Sequence, residues 1–265
     1  MSKHLALSAG TAAVALLVSI MMAPSAARSQ EPAANGAPAA QAKGKGGGKG
    51  KAALPAGPVG PTPRLSDGKP DLTGIWNGQR TVSQDGPYLQ PWAQKLLDQR
   101  AISNYADDFE ARCLPGGPPR AAPYHTSLVS TPTLVLMLFE GNTHMFRQFF
   151  VDGSDHPKNL KPTWYGDSRA HWDGDTLVVD TVGFVAKSWI DMPGHPHTDQ
   201  MHLTERFSRP NLGTLNIGIV IDDPGAYTKP WIQNRSTTLE TGIEMTEYVC
   251  NENNQDPVHL DGAHK

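Results

Sequence analysis

Cysteine is scarce in this sequence and several common catalytic and binding motifs are missing, and each of these absences disfavours a class of protein. Two cysteines cannot build a disulfide-rich scaffold, and neither lies at the CxxC spacing of a zinc site. The chain has no glycine-rich phosphate-loop motif and no alternation of strand with helix, which disfavours nucleotide-binding α/β folds. The HExxH helix of zinc proteases and the GxSxG elbow of serine hydrolases are also missing.

The first thirty residues have the composition of an export signal. Lys3 gives a basic start, an apolar run covers residues 12–23, and small residues lead to a cleavage point after Ala27. The run of about 12 apolar residues is shorter than the ~20 that a bilayer-spanning helix needs. We therefore expect a signal peptide over residues 1–27, no transmembrane span after processing, and a periplasmic or secreted mature protein.

Residues 28–63 are mainly Ala, Gly, Pro and Lys, which predicts a disordered linker. Its spaced lysines permit a weak contact with the cell envelope, although such lysines are more often only solubilising. Beyond the first sixty residues the chain carries 17 basic and 25 acidic residues, a net charge of −8. So acidic a region repels phosphate backbones, and no nucleic-acid partner is expected.

The remaining chain predicts one β domain over residues 64–258, followed by a short tail at 259–265. Its strand-like runs, separated by short turns, are 133–140, 144–153, 168–184, 201–209, 214–223, 231–240 and 243–250. Asp173-Gly174 tolerates the positive φ values of a tight hairpin turn. One helix is predicted near the N-terminal side of the domain, over residues 87–102.

An antiparallel meander of this kind leaves two exposed edges unless it closes into a barrel, which can hold one small ligand. The stretch PDLTGIWNG (70–78) contains a Gly-x-Trp motif, Gly74 and Trp76. It resembles the opening motif of lipocalins, in which the Trp packs across the closed base of the barrel. We predict an all-β, lipocalin-like barrel of about eight to ten strands, with a two-sheet sandwich as the alternative.

A set of motifs also resembles an uncharacterised group of exported bacterial proteins. The motifs are PDLTGIWNG, CLPGGPPR, WDGDTLVVDTVGF, HLTERF and EYVCNEN, and the match spans roughly residues 65–255. The resemblance implies export, but it brings no activity, cofactor or catalytic residue to this chain. The functional residues must therefore be argued from their chemistry.

The two cysteines, Cys113 and Cys250, are far apart in the sequence. In an oxidising compartment they predict a structural disulfide between an early Pro/Gly-rich loop and the last strand. Two separate buried thiols are the alternative.

The strand at 201–209 carries a carboxylate on an apolar face. Because alternate residues of a strand face opposite sides, Leu203, Glu205 and Phe207 share the inward side. An unpaired buried charge is costly, so we predict that Glu205 faces Arg235 or Arg147 inside the barrel. The pair is either a structural ion pair, or a ligand clamp or acid/base group, and both interpretations stay open.

Further polar residues near this strand are candidates for a site. Because histidine is the usual acid/base side chain near neutral pH, His197 and His202 join Glu205 as candidate catalytic acid/base groups. The candidate ligand-binding residues are Arg235, Arg147, Asp180, Arg206 and Arg169. Asp180 is predicted to be a second inward carboxylate, on the Val178 side of its strand.

The stretch GHPHTDQMHLTER concentrates histidines, which raises the question of a metal. Zinc or copper would accept His195, His197, Asp199 and His202 as ligands. However, an HxH pair in a proline-containing loop lacks the fixed spacing of a helical metal motif, and strand alternation separates His202 from Glu205. No metal site and no cofactor is predicted, and zinc or copper remains the alternative.

Three functions of different classes are compatible with these features. The first is an exported β-barrel protein that binds a small, largely apolar molecule with a charged contact inside the barrel. The second is a metal- and nucleotide-independent barrel enzyme, of lyase, isomerase or hydrolase type, that uses a Glu/His acid/base pair. The third is a structural or interaction module.

Overall fold

The computed structural model of the chain describes residues 56–120, 124–141, 146–252 and 254–256, all within the unit 51–265. The predicted signal peptide (1–27), the linker before residue 56 and the tail (259–265) lie outside the described residues. No helix within the described ranges is long and apolar enough to cross a membrane.

The described region is built mainly of strands, as the sequence predicts. The elements are β1 (Gly74–Trp76), β2 (Arg80–Asp85), α1 (Pro91–Ile102), a 3-10 turn (Glu110–Arg112), β3 (Thr126–Ser130), β4 (Leu134–Phe139), β5 (Phe146–Phe150), β6 (Asp167–Asp173), β7 (Thr176–Val182), β8 (His202–Asn211), β9 (Thr214–Asp222) and β10 (Trp231–Glu240). The all-β class with one short helix on the N-terminal side is confirmed.

The sheet closes into a barrel of nine strands. Its order runs from β1 through β3 and on in sequence to β10, and β10 pairs back to β1, while β2 is added outside on β10. Neighbouring strands are antiparallel except β5 and β6, which are parallel and meet only at Phe150 and Arg169. Parallel neighbours require a crossover, which residues 151–166 provide. The barrel is therefore confirmed, but its meander is interrupted at β5 and β6.

Three elements differ from the sequence prediction. β2 and β3 arise from stretches that were not predicted as strands, and residues 243–250, predicted as the last strand, form none. That segment is mostly exposed, and Glu140 holds it by accepting hydrogen bonds from the Thr246 amide (2.9 Å) and hydroxyl (2.7 Å). The helix begins at Pro91 because proline is favoured in the first helical turn, where its missing N–H costs nothing.

The inner face of the barrel is apolar along most strands. The predicted inward residues of β8 and β9 are all buried: Leu203, Glu205, Phe207, Leu215, Ile217, Ile219 and Ile221. They pack with inward side chains of the other walls, among them Trp76, Leu128, Met137, Phe149, Leu177 and Trp231. The hydrophobic effect of this shared core holds the closed sheet together.

The Gly-x-Trp motif of β1 contributes its tryptophan to the barrel core. Trp76 is buried, and its indole N–H donates to the Leu72 carbonyl at 3.0 Å. The Arg209 guanidinium lies 4.8 Å from the centre of the Trp76 ring, a cation–π distance. Gly74 has a φ of 149°, and a Cβ there would lie 2.4 Å from the Leu239 side chain. The motif therefore has a structural role in the core.

The last residues of the predicted linker (28–63) contact the β8–β9 hairpin. The Gly60 carbonyl accepts a hydrogen bond from the Leu212 amide at 2.9 Å. The Thr62 hydroxyl donates to the Arg209 carbonyl at 2.8 Å. The chain is thus attached to the barrel before the predicted domain start at residue 64.

The predicted disulfide between Cys113 and Cys250 is present. It joins residues 137 positions apart, and it links the loop after the 3-10 turn to the C-terminal segment. Cys250 lies in a turn and not on a strand, which corrects the predicted position of this end of the bond.

We expect removal of this cross-link to destabilise the protein. In the double variant Cys113→Ser/Cys250→Ser, the free energy of unfolding should fall by about 2–5 kcal/mol, because a long loop is no longer closed in the unfolded chain. Denaturant unfolding measures this loss, and wild type treated with reductant should lose the same amount. An unchanged midpoint in both samples would contradict the role of the bond.

The Glu140 contact predicts an acid-sensitive attachment of the C-terminal segment. The hydrogen bonds from Thr246, together with that from His125, lower the pKa of Glu140 from 4.5 to about 2. Because the folded-state pKa is lowered, the stabilisation is complete above pH 4.5 and is lost as the pH falls through about 2. The destabilisation of Glu140→Gln relative to wild type, measured by denaturation across this range, should therefore shrink towards zero in acid. A difference independent of pH would contradict this account.

Candidate functional site

The barrel interior contains a two-pronged ion pair between Arg147 of β5 and Glu205 of β8. Arg147 Nη2 lies 2.6 Å from Glu205 Oε2, and Nη1 lies 3.2 Å from Oε1. Both residues are only 4% exposed. Strand alternation turns them inward beside Phe149 and Phe207, respectively. Of the two predicted partners for Glu205, Arg147 is the one observed.

Two hydroxyl groups and a ring complete the surroundings of the guanidinium. Arg147 Nη2 lies 3.4 Å from Thr181 Oγ1 and 3.5 Å from Ser168 Oγ, and these two hydroxyls are 2.9 Å apart. The guanidinium carbon is 4.7 Å from the centre of the Phe149 ring. Arg147 Nε is buried and has no hydrogen-bond acceptor within the described ranges. The ion pair therefore leaves the Nε–H donor of the guanidinium without an acceptor.

Arg235, the other predicted partner of Glu205, bonds elsewhere. Its Nε and Nη2 donate to Gln233 Oε1 at 3.0 and 2.7 Å, and Nη1 donates to the Pro119 carbonyl at 2.8 Å. Burial lowers the pKa of Arg235, and the negative charges of Glu205 and Asp191 oppose that effect. Arg235 is thus within electrostatic reach of Glu205, but its hydrogen bonds go to Gln233 and Pro119.

The space beside the ion pair inside the barrel is small. A cavity of about 10 Å³ is lined by Gln79, Pro118, Pro119, Met137, Phe139, Arg147 and Glu205. This volume is about that of a single water molecule. Side chains and the Pro118-Pro119 segment therefore fill the barrel at this level, and a small organic molecule does not fit beside Glu205 without their movement.

A larger cleft lies on the wall, where β5 and β6 meet at a single residue pair. Its volume is about 320 Å³, and its lining residues are Pro115, Phe146, Arg147, Gln148, Phe150, Thr163, Trp164, Tyr165, Gly166, Asp167 and Ser168. We call it the seam cleft. Arg147 lines both the seam cleft and the inner cavity, so the buried ion pair lies between them.

Asp180 does not point into the barrel, which corrects the prediction. Leu177, Val179 and Thr181 are fully buried on the inner face of β7, so Asp180 lies on the outer face. Val178, also outward, is nevertheless buried. β7 is therefore apolar on both faces, and its alternation could not reveal which side faces the core.

Asp180 instead belongs to a row of hydrogen-bonded polar side chains on the outer wall, here called the outer row. Its carboxylate lies 2.5 Å from His202 Nε2 and 2.8 Å from His156 Nε2. His156 Nδ1 then lies 2.6 Å from Asp167, which accepts two hydrogen bonds from Arg169. Burial alone would raise the pKa of both aspartates, but these hydrogen bonds outweigh it and the pKa of each is lowered.

The position of the outer row separates two of the predicted catalytic residues, His202 and Glu205. His202 is on the outer face of β8 and Glu205 on the inner face, so the two do not share a site. Arg206 is exposed and pairs with Asp173 at 2.7 Å. Arg169 lies over the Phe150 ring at 4.7 Å, close to the seam cleft.

The histidines of the loop between β7 and β8 also separate. His195 pairs with Asp191 at 2.8 Å, whereas His197 is buried against Ser188, also at 2.8 Å. Asp199 is exposed in a turn. Within the described ranges, no three His, Cys, Asp or Glu residues are arranged to hold a metal ion.

Several polar partners were missed from the sequence. They are His156, Asp167, Ser188 and Asp191. Ser188 and Asp191 had a local signal, because the Asp-Met-Pro-Gly turn between them and the histidines predicts a short hairpin. His156 had none, since the crossover that brings it to β7 is a tertiary feature.

Comparison of the chain with protein-family profiles, with curated proteins and with solved structures found no match. The resemblances to lipocalins and to the exported bacterial group therefore stay predictions. The function must be argued from the geometry.

The ion pair predicts an asymmetric response to mutation. Glu205→Leu leaves Arg147 charged and unpaired inside the barrel, so the free energy of unfolding should fall by about 3–5 kcal/mol. In Arg147→Met/Glu205→Leu both charges are absent, and most of the loss should be recovered. Denaturant unfolding of the three proteins tests this.

A matched control is the exposed pair Arg206–Asp173, whose side chains are 47% and 63% accessible. Asp173→Asn should leave the unfolding midpoint nearly unchanged, because water screens this pair. A double variant as unstable as Glu205→Leu would show that packing, and not charge, limits stability at this position.

Proposed function

We propose that the protein binds a small, largely apolar molecule in the seam cleft, with Arg147 as its charged contact. The observation that carries the proposal is that Arg147 lines this cleft while its Nε–H has no acceptor among the described residues. A buried donor without an acceptor costs free energy, and a ligand oxygen that accepts this hydrogen bond, after a small movement of the side chains that cover Nε, would recover it.

The size and lining of the cleft support a ligand of this type. Its volume of about 320 Å³ lies at the lower end of the range for small-molecule sites. Phe146, Phe150 and Trp164 contribute apolar surface, while Asp167 and Ser168 contribute polar atoms. An aromatic or short aliphatic body with one oxygen acceptor suits this combination.

The ion pair also determines which acceptor suits the cleft. Glu205 already neutralises the charge of Arg147 and holds its guanidinium in one orientation. A ligand therefore meets a preorganised donor without net positive charge, which favours a neutral carbonyl over a carboxylate. The pair in this proposal is a ligand clamp and not an acid/base group.

We further propose that the mature protein is periplasmic or secreted. The signal-like residues 1–27 support export, and the Cys113–Cys250 disulfide is of the kind that persists in oxidising compartments. The Lys/Gly-rich part of the linker would then contact anionic polymers of the envelope.

Binding can be tested with an environment-sensitive dye. We expect an acylated dialkylaminonaphthalene, which carries a ketone, to bind saturably, with a fluorescence increase. Gln148→Trp adds bulk at the seam cleft and should raise the dissociation constant at least ~10-fold, which corresponds to about 1.4 kcal/mol. An analogue without the carbonyl should bind roughly threefold to tenfold more weakly, the value of one hydrogen bond.

The matched control for added bulk is Val129→Trp, on the exposed face of β3 and away from the cleft. It should bind the dye like wild type. Equal affinities for wild type and Gln148→Trp would contradict the seam cleft as the site, and equal affinities for both dyes would contradict the role of the unused donor.

A further inference from the structure

A short hairpin in the loop between β7 and β8 places a serine against a histidine. Trp189 and Pro196 form an antiparallel bridge, and the Ile190 amide donates to the His195 carbonyl. In this register Ser188 lies directly opposite His197. Ser188 Oγ is 2.8 Å from His197 Nε2, which is the separation found between a nucleophile and its general base.

The second ring nitrogen fixes the direction of this hydrogen bond. His197 Nδ1 lies 2.9 Å from the Thr198 carbonyl, which can only accept, so Nδ1 carries a proton. In the neutral ring Nε2 is then the acceptor, and the Ser188 hydroxyl donates to it. This is the tautomer that a base needs to remove the serine proton.

A buried carboxylate fixes Thr198, whose carbonyl accepts the hydrogen bond from His197. Asp223 is 1% exposed and accepts hydrogen bonds from the Thr198 amide (2.5 Å) and hydroxyl (2.6 Å). Its negative charge raises the pKa of His197, against a larger lowering by burial. Asp223 is therefore a positioning residue that also favours the imidazolium formed during proton transfer.

The serine and histidine both line a cleft large enough for a substrate. This cleft, with a volume of about 550 Å³, lies between α1 and the loop 184–199. Its apolar lining includes Trp92, Leu96, Pro162, Val185 and Ala186, and its cationic side chains are Arg100 and Lys187. It shares no lining residue with the seam cleft.

We propose that Ser188 and His197 form a nucleophile–base dyad that hydrolyses carboxylic esters with a small apolar acyl group in this cleft. The inference is independent of the ligand site at the seam. The sequence already made His197 a candidate acid/base group. Its proposed partner, Ser188, does not stand in a GxSxG motif and was not a candidate from the sequence.

The reaction balances with water as the only co-reactant. Ser188 Oγ attacks the ester carbonyl while His197 Nε2 takes its proton, and a tetrahedral oxyanion forms. The ester C–O bond then breaks, and the leaving alcohol takes the proton from His197, which leaves an acyl-serine ester. Water, deprotonated by His197, attacks this ester and releases the carboxylic acid, while the proton returns to Ser188.

The test uses the purified protein with p-nitrophenyl esters of short to medium acyl chains and a fluorophosphonate probe. We expect hydrolysis above background and phosphonylation at Ser188, located by peptide mass spectrometry. Ser188→Ala and His197→Gln should each lower kcat/KM by about a thousandfold or more. Ser236→Ala, which alters a buried serine bonded to Asn216, should retain the wild-type rate.

Ser188→Cys keeps the test decisive if Ser188→Ala does not fold. Its thiol should react with iodoacetamide faster than a free cysteine near neutral pH, because His197 promotes the thiolate. Asp223→Asn should move the acidic limb of the kcat/KM–pH profile to lower pH, since the carboxylate raises the pKa of His197. Absence of both hydrolysis and Ser188 labelling in folded wild type would overturn the proposal, whatever the outcome of dye binding at the seam.

Discussion

The arrangement of this protein depends on one constraint: the two opposite charges buried inside its apolar barrel must neutralise each other. Arg147 and Glu205 come from opposite walls, and neither charge is tolerated inside without the other. Their contact therefore fixes β5 relative to β8 across the core. Ser168 and Thr181 extend this polar centre to β6 and β7, so four strands are linked by one hydrogen-bonded group in an otherwise apolar interior.

The buried polar centre reaches the outer surface through the seam cleft, where β5 and β6 pair in parallel. With a single paired residue, the wall at this point is formed by side chains and not by a backbone ladder. The crossover that makes the strands parallel also carries His156 onto the outer wall, where it joins Asp180 and Asp167. The parallel pairing of β5 with β6 thus produces both the seam cleft and the outer row.

The succession of strand-like runs and short turns predicted the barrel. Strand alternation predicted that Glu205 faces inward, with Arg147 as one of two possible partners. It failed for Asp180, because β7 is buried on both faces and its alternation carries no information about direction. It also missed β2 and β3, whose pairing depends on β10 and β1 more than on their own composition. The Ser188–His197 contact arises from hairpin register, and the His156 contacts from the crossover, which no local pattern encodes.

The strand added outside the barrel has a consequence for the behaviour of the protein in concentrated solution. A closed barrel has no edge, but β2 pairs only with β10 and so restores one to the described sheet. Its sequence, RTVSQD, is exposed throughout, begins and ends with opposite charges, and has a single β-branched apolar residue. Polar, charged edges resist strand addition by other chains. Resistance to strand addition at this edge thus depends on these six residues.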